Sequence, residues 1–591
     1  FMAPYEIVRQ TSHPYAATSN AHKHLMPTSF RHPPYSAACL PFRWMLKESA
    51  GELSRDLELG FVTDLEDQAH GVMGFDTSWV QTKHNQLVLL DTFFSAIQPR
   101  RSLCFFYAKR TPLVDDARRV IVGVGWVTHV GSSVEYLYSG PGPLDSVLWE
   151  RPVQHSVRPD FRDGFLLPYH ALLDYLREHP EKDPHEFVAF VPDEQFWSFS
   201  YASEHVTNDG AIASLLSCAK TLSRIQEVVP GQWDRVIAWV DARLNELWKM
   251  RGPYPGLGAA LSAFGVENGT LLAYELEGLL ARQQEEAADP WPLVDLLFRD
   301  PSSLGPDLRA KIGDSLRKKW QALPAERRAL LKLFSRFELA TPQATRYYVH
   351  EDKQRADLRI GVTDAELLAN PYLLYELDRV APDPVSLAVV DRGLFPDPVL
   401  RVAHPLPPPS LVKDGTDGRR VRAFVVRQLE AAAAEGDTLR PRAQVIQEIR
   451  ELDTQPACSV DGDLMHVLEA DFVPLVHSVE IGDDHQPAYQ LDRLARVGEI
   501  IRRAVERRLG GKRIEGEIPW RERLDALFGG SALADDAEEQ NARAEKAAAL
   551  QELYASRLSV LIGPAGTGKT TLLRVLCQEP AVREAGLLLL A

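Results

Sequence analysis

The chain is 591 residues long, with 45% hydrophobic and 25% charged residues, an ordinary globular composition that asks for roughly 3–5 domains. Its net charge of −16 excludes a protein that coats nucleic acid with its whole surface, so any nucleic-acid path has to be a local basic lining. The five cysteines stand singly with no C-x-x-C pair, which excludes a zinc ribbon or a disulfide scaffold and points to a reducing cytoplasm, and no stretch reaches the ~20 apolar residues of a membrane span.

Residues 1–30 are polar and rich in His and Pro, a lead-in. From 31 to 165 the pattern is strand-like. SLCFFYAKR (102–110) and RRVIVGVGWVTHVG (118–131) are aromatic and β-branched runs parted by a turn-rich TPLVDDA, which predicts an antiparallel pair. NQLVLLDTFFSAI (85–97) predicts a helix for the pair to pack over. This helix-then-strands order resembles the small barrels of PUA/EVE-type domains, several of which read modified bases. The resemblance implies a pocket near Trp79, Tyr107 or Trp126, whose rings are able to stack on a base. Filling the barrel core is the commoner use of such rings.

Residues 166–350 read as helical. Within them, GPYPGLGAALSAFGVENGTLLAYEL (252–276) has the pattern of a helix-hairpin-helix. There a Gly-x-Gly turn exposes backbone N–H groups to a DNA phosphate without reading sequence, which makes Gly256, Leu257 and Gly258 the candidate nucleic-acid contacts. A tight turn between helices with no ligand is the competing reading. Residues 351–403 are a helical segment interrupted at Asn370-Pro371, and 404–418, opening with HPLPPPSLV, read as a stiff proline-rich linker. Residues 419–530 give helices followed by a hairpin and a basic helix, QLDRLARVGEIIRRAVERRLGGKR (490–513), the order of a winged-helix-like module. That helix faces phosphates or is a solvated surface laced with i,i+4 pairs.

Residues 531–591 open a RecA-like ATPase domain. DDAEEQNARAEKAAALQELYAS (535–556) predicts the entering helix, Leu558–Ile562 the strand, and GPAGTGKT (Gly563–Thr570) fits G-x-x-x-x-G-K-[ST] in full. The chemistry explains the residue types. Glycines let successive N–H groups close on a phosphate at a helix N-terminus. Lys569 reaches the β/γ-phosphates, and the Thr570 hydroxyl is placed to ligand Mg²⁺. The expected cofactors are therefore ATP and Mg²⁺. The expected contacts are Gly563, Pro564, Ala565, Gly566, Thr567, Gly568, Lys569, Thr570 and Thr571, with Lys569 and Thr570 catalytic. An acidic strand end and a second motor domain find no place before Ala591. The chain is thus expected to be the front of a longer motor that does not turn over ATP alone.

The order of parts over about 240–591 resembles the long RecD-like superfamily 1 DNA helicases. The matching stretches are GPYPGLGAALSAFG, NPYLLYELDR, RAFVVRQLEAAAAEGDTLRPRAQVI, AEKAAALQEL and LIGPAGTGKTTLL. The resemblance implies an ATP-dependent DNA helicase or translocase, moving 5′→3′, in repair, recombination or defence against foreign DNA, with single-stranded DNA and duplex junctions as partners. In that family a glutamine upstream of the loop reads adenine. Here Lys546 holds the position, with Gln540 six residues earlier. The alternatives are a regulatory P-loop switch whose N-terminal half binds a protein partner, and an RNA helicase of a related branch. The fold class expected overall is multidomain α+β and α/β.

Overall fold

Alternation along one long strand organises the N-terminal half. The computed structural model describes residues 3–57, 59–200, 202–267, 269–282, 289–300, 312–349, 362–379, 381–410, 412–452, 454–528, 537–564 and 566–589. Strand Val120–Val130 pairs antiparallel with Leu103–Ala108, with Arg151–His155 and with Gly164–Leu166, and Ser36–Cys39 joins outside Arg151–His155. This five-stranded sheet curls into a half-barrel, where a β-rich, barrel-like domain is expected. The two apolar runs pair as the sequence predicts, with Leu103 opposite Trp126.

Successive side chains of a strand point to opposite faces, so this sheet serves two cores. On one face helix Lys83–Ser95 lays Leu89, Leu90, Phe93 and Phe94 over Val127, Val147 and Val153. On the other, Val120, Val124 and Phe165 meet Ile212, Leu215 and Leu222 of helix Asn208–Val228 and Val236, Trp239 and Val240 of helix Trp233–Arg251; Ile121 joins them where the pairing register shifts opposite Phe106/Tyr107 and the alternation breaks. The boundary expected for the β-rich domain lies at 165. Helices to its C-terminal side supply half of the sheet's burial, because a sheet with apolar residues on both faces must be covered twice.

Two compact units make up the chain: Phe1–Gln428 with Gln444–Asp471, and Leu429–Ala443 with Phe472–Ala591. In the first, helix Leu257–Phe264 packs on helices Gly269–Arg282, Ala325–Phe334 and Thr341–Tyr348. The break at Asn370-Pro371 is as read. Helix Asp364–Ala369 starts on a Thr363/Glu366 capping box, stops at Asn370, and resumes as Leu373–Asp378. The linker expected at 404–418 is instead tied down. Arg336, buried, donates to Gly393 O, His404 O and Pro405 O at 3.2, 2.8 and 3.4 Å, and Arg420 donates to Gly415 O at 2.7 Å. Carbonyls freed by proline-rich backbone, which forms no ladder of its own, are what a buried guanidinium can satisfy.

Along the chain from Gly418 the elements run helix Gly418–Glu435, strand Arg440–Pro441, helices Arg442–Arg450 and Gly462–Phe472, then strands Val476–Ile481 and Gln486–Leu491. The three strands form one antiparallel sheet with Gln486–Leu491 in the middle. In the second unit, helices Trp520–Phe528, Ala537–Ala555 and Lys569–Gln578 share a core of Trp520, Leu524, Leu550, Leu572, Val575 and Leu576. Among the described residues every paired strand is antiparallel, so the parallel sheet of a RecA-like domain is not displayed.

Candidate functional site

The phosphate-loop motif is built from its glycines outward. Gly566 and Gly568 both sit at φ +82°, left-handed backbone that costs a side-chain-bearing residue energy and glycine almost none. With Gly568 as the cap, helix Lys569–Gln578 begins directly after the loop. Its buried residues Leu572, Val575 and Leu576 fall at i, i+3 and i+4, which fixes the helix on the core and its first turn toward the loop. The Lys569 ammonium folds back over the loop, donating to Gly563 O and Pro564 O, each at 2.7 Å. The Thr567 hydroxyl donates to Pro564 O at 2.9 Å. Gly563, Pro564, Gly566, Thr567 and Thr570 are exposed, and Gly568, Lys569 and Thr571 half-buried. Ala565 lies outside the described residues.

These observations fit a triphosphate. A flexible ammonium shares the mouth of the loop with unpaired first-turn N–H groups of a helix, and the Thr570 hydroxyl stands one residue into that helix. The strand expected at Leu558–Ile562 is the correction. These residues are irregular, with Val560 82% and Ile562 84% exposed, and Leu587–Leu589 are likewise irregular and exposed. A strand exists only as a ladder, and among the described residues none pairs with this segment.

Helix Ala537–Ala555 enters the loop segment as predicted. Gln540 lies six residues before Lys546, about 9 Å along a helix at 1.5 Å per residue. Its side-chain oxygen accepts from Arg521, and its carbonyl accepts from the same guanidinium at 3.1 Å. Gln540 is thus held by the neighbouring helix Trp520–Phe528.

The helix-hairpin-helix residues are also in an unexpected state. Gly256, Leu257 and Gly258 are buried. The Gly256 N–H donates to Ser335 O at 2.8 Å, so this donor serves the fold and not a phosphate. A Cβ on Gly256 would stand 1.9 Å from Phe337 O, and one on Gly258 2.7 Å from Thr270 Cα. Close approach between the helices, the competing reading, accounts for both glycines.

The three candidate stacking aromatics are not brought together. Trp79 packs with Phe42 and Trp149 against the core under helix Lys83–Ser95. Tyr107 and Trp126 line the opposite core, Tyr107 edge-on to Phe199 and Trp126 edge-on to Trp239 with the Arg243 guanidinium 4.7 Å from its ring centre. The three rings thus do not share one pocket, because Trp126 and the Val127 facing Trp79's core are consecutive on one strand.

Sequence reasoning missed a cluster of three buried histidines, His13, His22 and His24. The His13 and His22 rings stack 4.5 Å apart, and the Nε2 of His22 and both ring nitrogens of His24 are buried without a hydrogen-bond partner. Burial, with neighbouring histidines adding to it, lowers His13 to about 3 and His22 to about 4. The H-x8-H-x-H spacing was the available signal. Among the described residues no group of three or more His, Cys, Asp or Glu is placed to hold a metal ion, and no helix is long and apolar enough to cross a membrane. All five cysteines are free.

Compared with known proteins, the chain matches no family model, and no curated protein matches it.

Proposed function

We propose that this protein binds ATP with Mg²⁺ at Gly563–Thr571 and belongs to an ATP-driven motor that translocates on DNA and separates its strands, 5′→3′, in the cytoplasm. One observation carries the nucleotide part: a glycine loop with two left-handed residues that delivers Lys569 and Thr570 onto the first turn of a helix. In this reading Lys569 exchanges its two loop carbonyls for phosphate oxygens. The first-turn N–H groups hold the same phosphate, with the helix dipole adding to the attraction. Thr570 positions the metal. Bound Mg²⁺-ATP supplies the γ-phosphoryl group and the charge neutralisation its transfer needs. The DNA-motor part rests on the order of modules over 240–591, including the helix–strand–helix–helix–hairpin order of a winged-helix module after Gly418.

The test is nucleotide affinity. A fluorescent ATP analogue titrated with Mg²⁺ is expected to bind the chain, and Lys569→Ala to weaken that binding at least tenfold while circular dichroism stays unchanged. Equal binding by the variant refutes the loop as the nucleotide site. DNA-stimulated ATP hydrolysis then separates a translocase from a regulatory switch.

A further inference from the structure

The module after Gly418 has the element order of a winged helix but the wrong charge for the usual mode of DNA reading. Helix Gly462–Phe472, in the position of the reading helix, carries Asp463, Glu469 and Asp471 and no Lys or Arg. The tip of the hairpin is acidic as well, with Glu480, Asp483 and Asp484 all exposed. Phosphates repel both.

Positive charge gathers instead on the element that follows the hairpin. Helix Asp492–Leu509 buries no residue. From Arg502 to Arg513 the sequence holds six cations and one carboxylate in a chain of net charge −16. Arg502 and Arg503 pair with Glu499, and Arg513 with Glu552. Arg507, Arg508, Lys512 and Arg557 are exposed and, among the described residues, pair with no carboxylate. The fold brings them together. The Gly511 N–H donates to Arg508 O at 3.2 Å, and the Arg557 Nε donates to Lys512 O at 3.0 Å. A Cβ on Gly511 would touch the Arg557 side chain at 3.0 Å. Ile514 N–H donates to Ala555 O at 2.8 Å, which holds the turn against the segment leading into the phosphate loop. Cations at a helix C-terminus complement its dipole, but that accounts for the last turn only and not for Lys512 or Arg557.

We propose that Arg507, Arg508, Lys512 and Arg557 form a sequence-independent binding patch for the phosphate backbone of single-stranded nucleic acid, set beside the phosphate loop, and that the acidic helix Gly462–Phe472 and hairpin tip do not take part. The proposal rests on the motor reading for its choice of polyanion. An anionic bilayer is the competing partner, since Val497, Ile500 and Ile501 are exposed on the same helix. The apolar stripe runs on through half-buried Val505 to exposed Leu509, so the choice of a phosphate strand over acyl chains rests on the exposed cations beside it and on the motor reading.

The experiment uses the full chain and a fluorescein-labelled oligothymidine, read by anisotropy across a KCl series. The variant Arg507→Gln/Arg508→Gln/Arg557→Gln is expected to bind at least tenfold more weakly. Its log K against log salt slope should be shallower by about 2, near 0.7 for each phosphate contact removed. Neutralising the hairpin tip (Glu480→Gln/Asp483→Asn/Asp484→Asn) is expected to leave affinity equal or raised. Nucleotide-analogue affinity and circular dichroism of the triple variant should match wild type, which shows that it is folded. Unchanged affinity and slope in the folded triple variant overturn the patch. So does wild-type protein that floats with phosphatidylserine vesicles and is not displaced by oligothymidine. Loss of nucleotide binding in wild type with oligothymidine binding intact refutes the motor reading and leaves the patch standing.

Discussion

Gly256→Ala separates a packing glycine from a phosphate-binding one. Gly256 has φ −96° and ψ 15°, backbone that alanine tolerates, so the cost of the change is steric. The new Cβ would stand 1.9 Å from Phe337 O and 2.8 Å from Phe334 O, where ordinary contact begins near 3.4 Å. The start of helix Leu257–Phe264 and the turn after Ala325–Phe334 must then part by roughly 1.5 Å, an overpacking of the kind that costs about 1–3 kcal/mol. The same retreat stretches the 2.8 Å bond from Gly256 N–H to Ser335 O, worth about 1 kcal/mol. A loss of about 2–4 kcal/mol is expected, read as a lower urea midpoint by tryptophan fluorescence. The control is Gly278→Ala, inside helix Gly269–Arg282 with no atom within 4 Å of the new Cβ, which should gain about 0.5–1 kcal/mol. If Gly256→Ala unfolds at the wild-type midpoint yet binds DNA more weakly, the glycine serves a ligand and the packing argument is wrong.

Trp126→Ala is expected to cost about 2–3 kcal/mol, less than a fully buried tryptophan, because it removes the partner of Trp239 and Arg243; a variant of unchanged thermal stability that loses nucleic-acid affinity would restore the base-reading role. His13 and His22 have folded pKa values lowered from 6.5 to about 3 and about 4, so the unfolded chain binds more protons between those values and 6.5. Stability contributed by the two is full above 6.5 and lost as pH falls toward 4, at up to about 1.4 kcal/mol per pH unit for each. Hydrogen exchange in residues 7–32 at pH 7 and pH 5 should show the acid-side loosening, and equal protection at both values counts against a neutral buried cluster. Arg336→Met strands the carbonyls of Gly393, His404 and Pro405. Trypsin should then cut faster at Arg401 and Lys413, and an unchanged cleavage rate would show that the guanidinium does not hold the 404–410 segment.

Local chemistry was legible in the sequence. The Thr363/Glu366 box, the stop at Asn370-Pro371, the pairing of 102–110 with 118–131 and the left-handed glycines of the phosphate loop each follow from residues close in the chain. What was not legible depended on distant partners. Nothing near Trp126 announces Trp239, more than a hundred residues on, so its face of the strand looked available to a base. The proline-rich stretch looked like a spacer because Arg336, which holds it, lies far upstream. Gly-x-Gly before an apolar helix has the same spelling whether its N–H groups meet a phosphate or a neighbouring carbonyl. Leu558–Ile562 shows the opposite failure: an apolar run spells a strand, but it forms one only with a ladder that local sequence cannot supply, and here it stays irregular.

The strand Val120–Val130 carries a further consequence. It is a party wall, with one tenant on each side. Trp126 furnishes the helical side and Val127 the side under Lys83–Ser95, so inserting or deleting a single residue between Gly123 and Val127 would swap the furnishings of both rooms at once. Changes of length are absorbed where the pairing register already shifts, opposite Phe106/Tyr107 and opposite Gln154/His155, or in the turn at 109–119. A survey of tolerated insertions across 109–135 should accordingly show its deepest gap at 123–127.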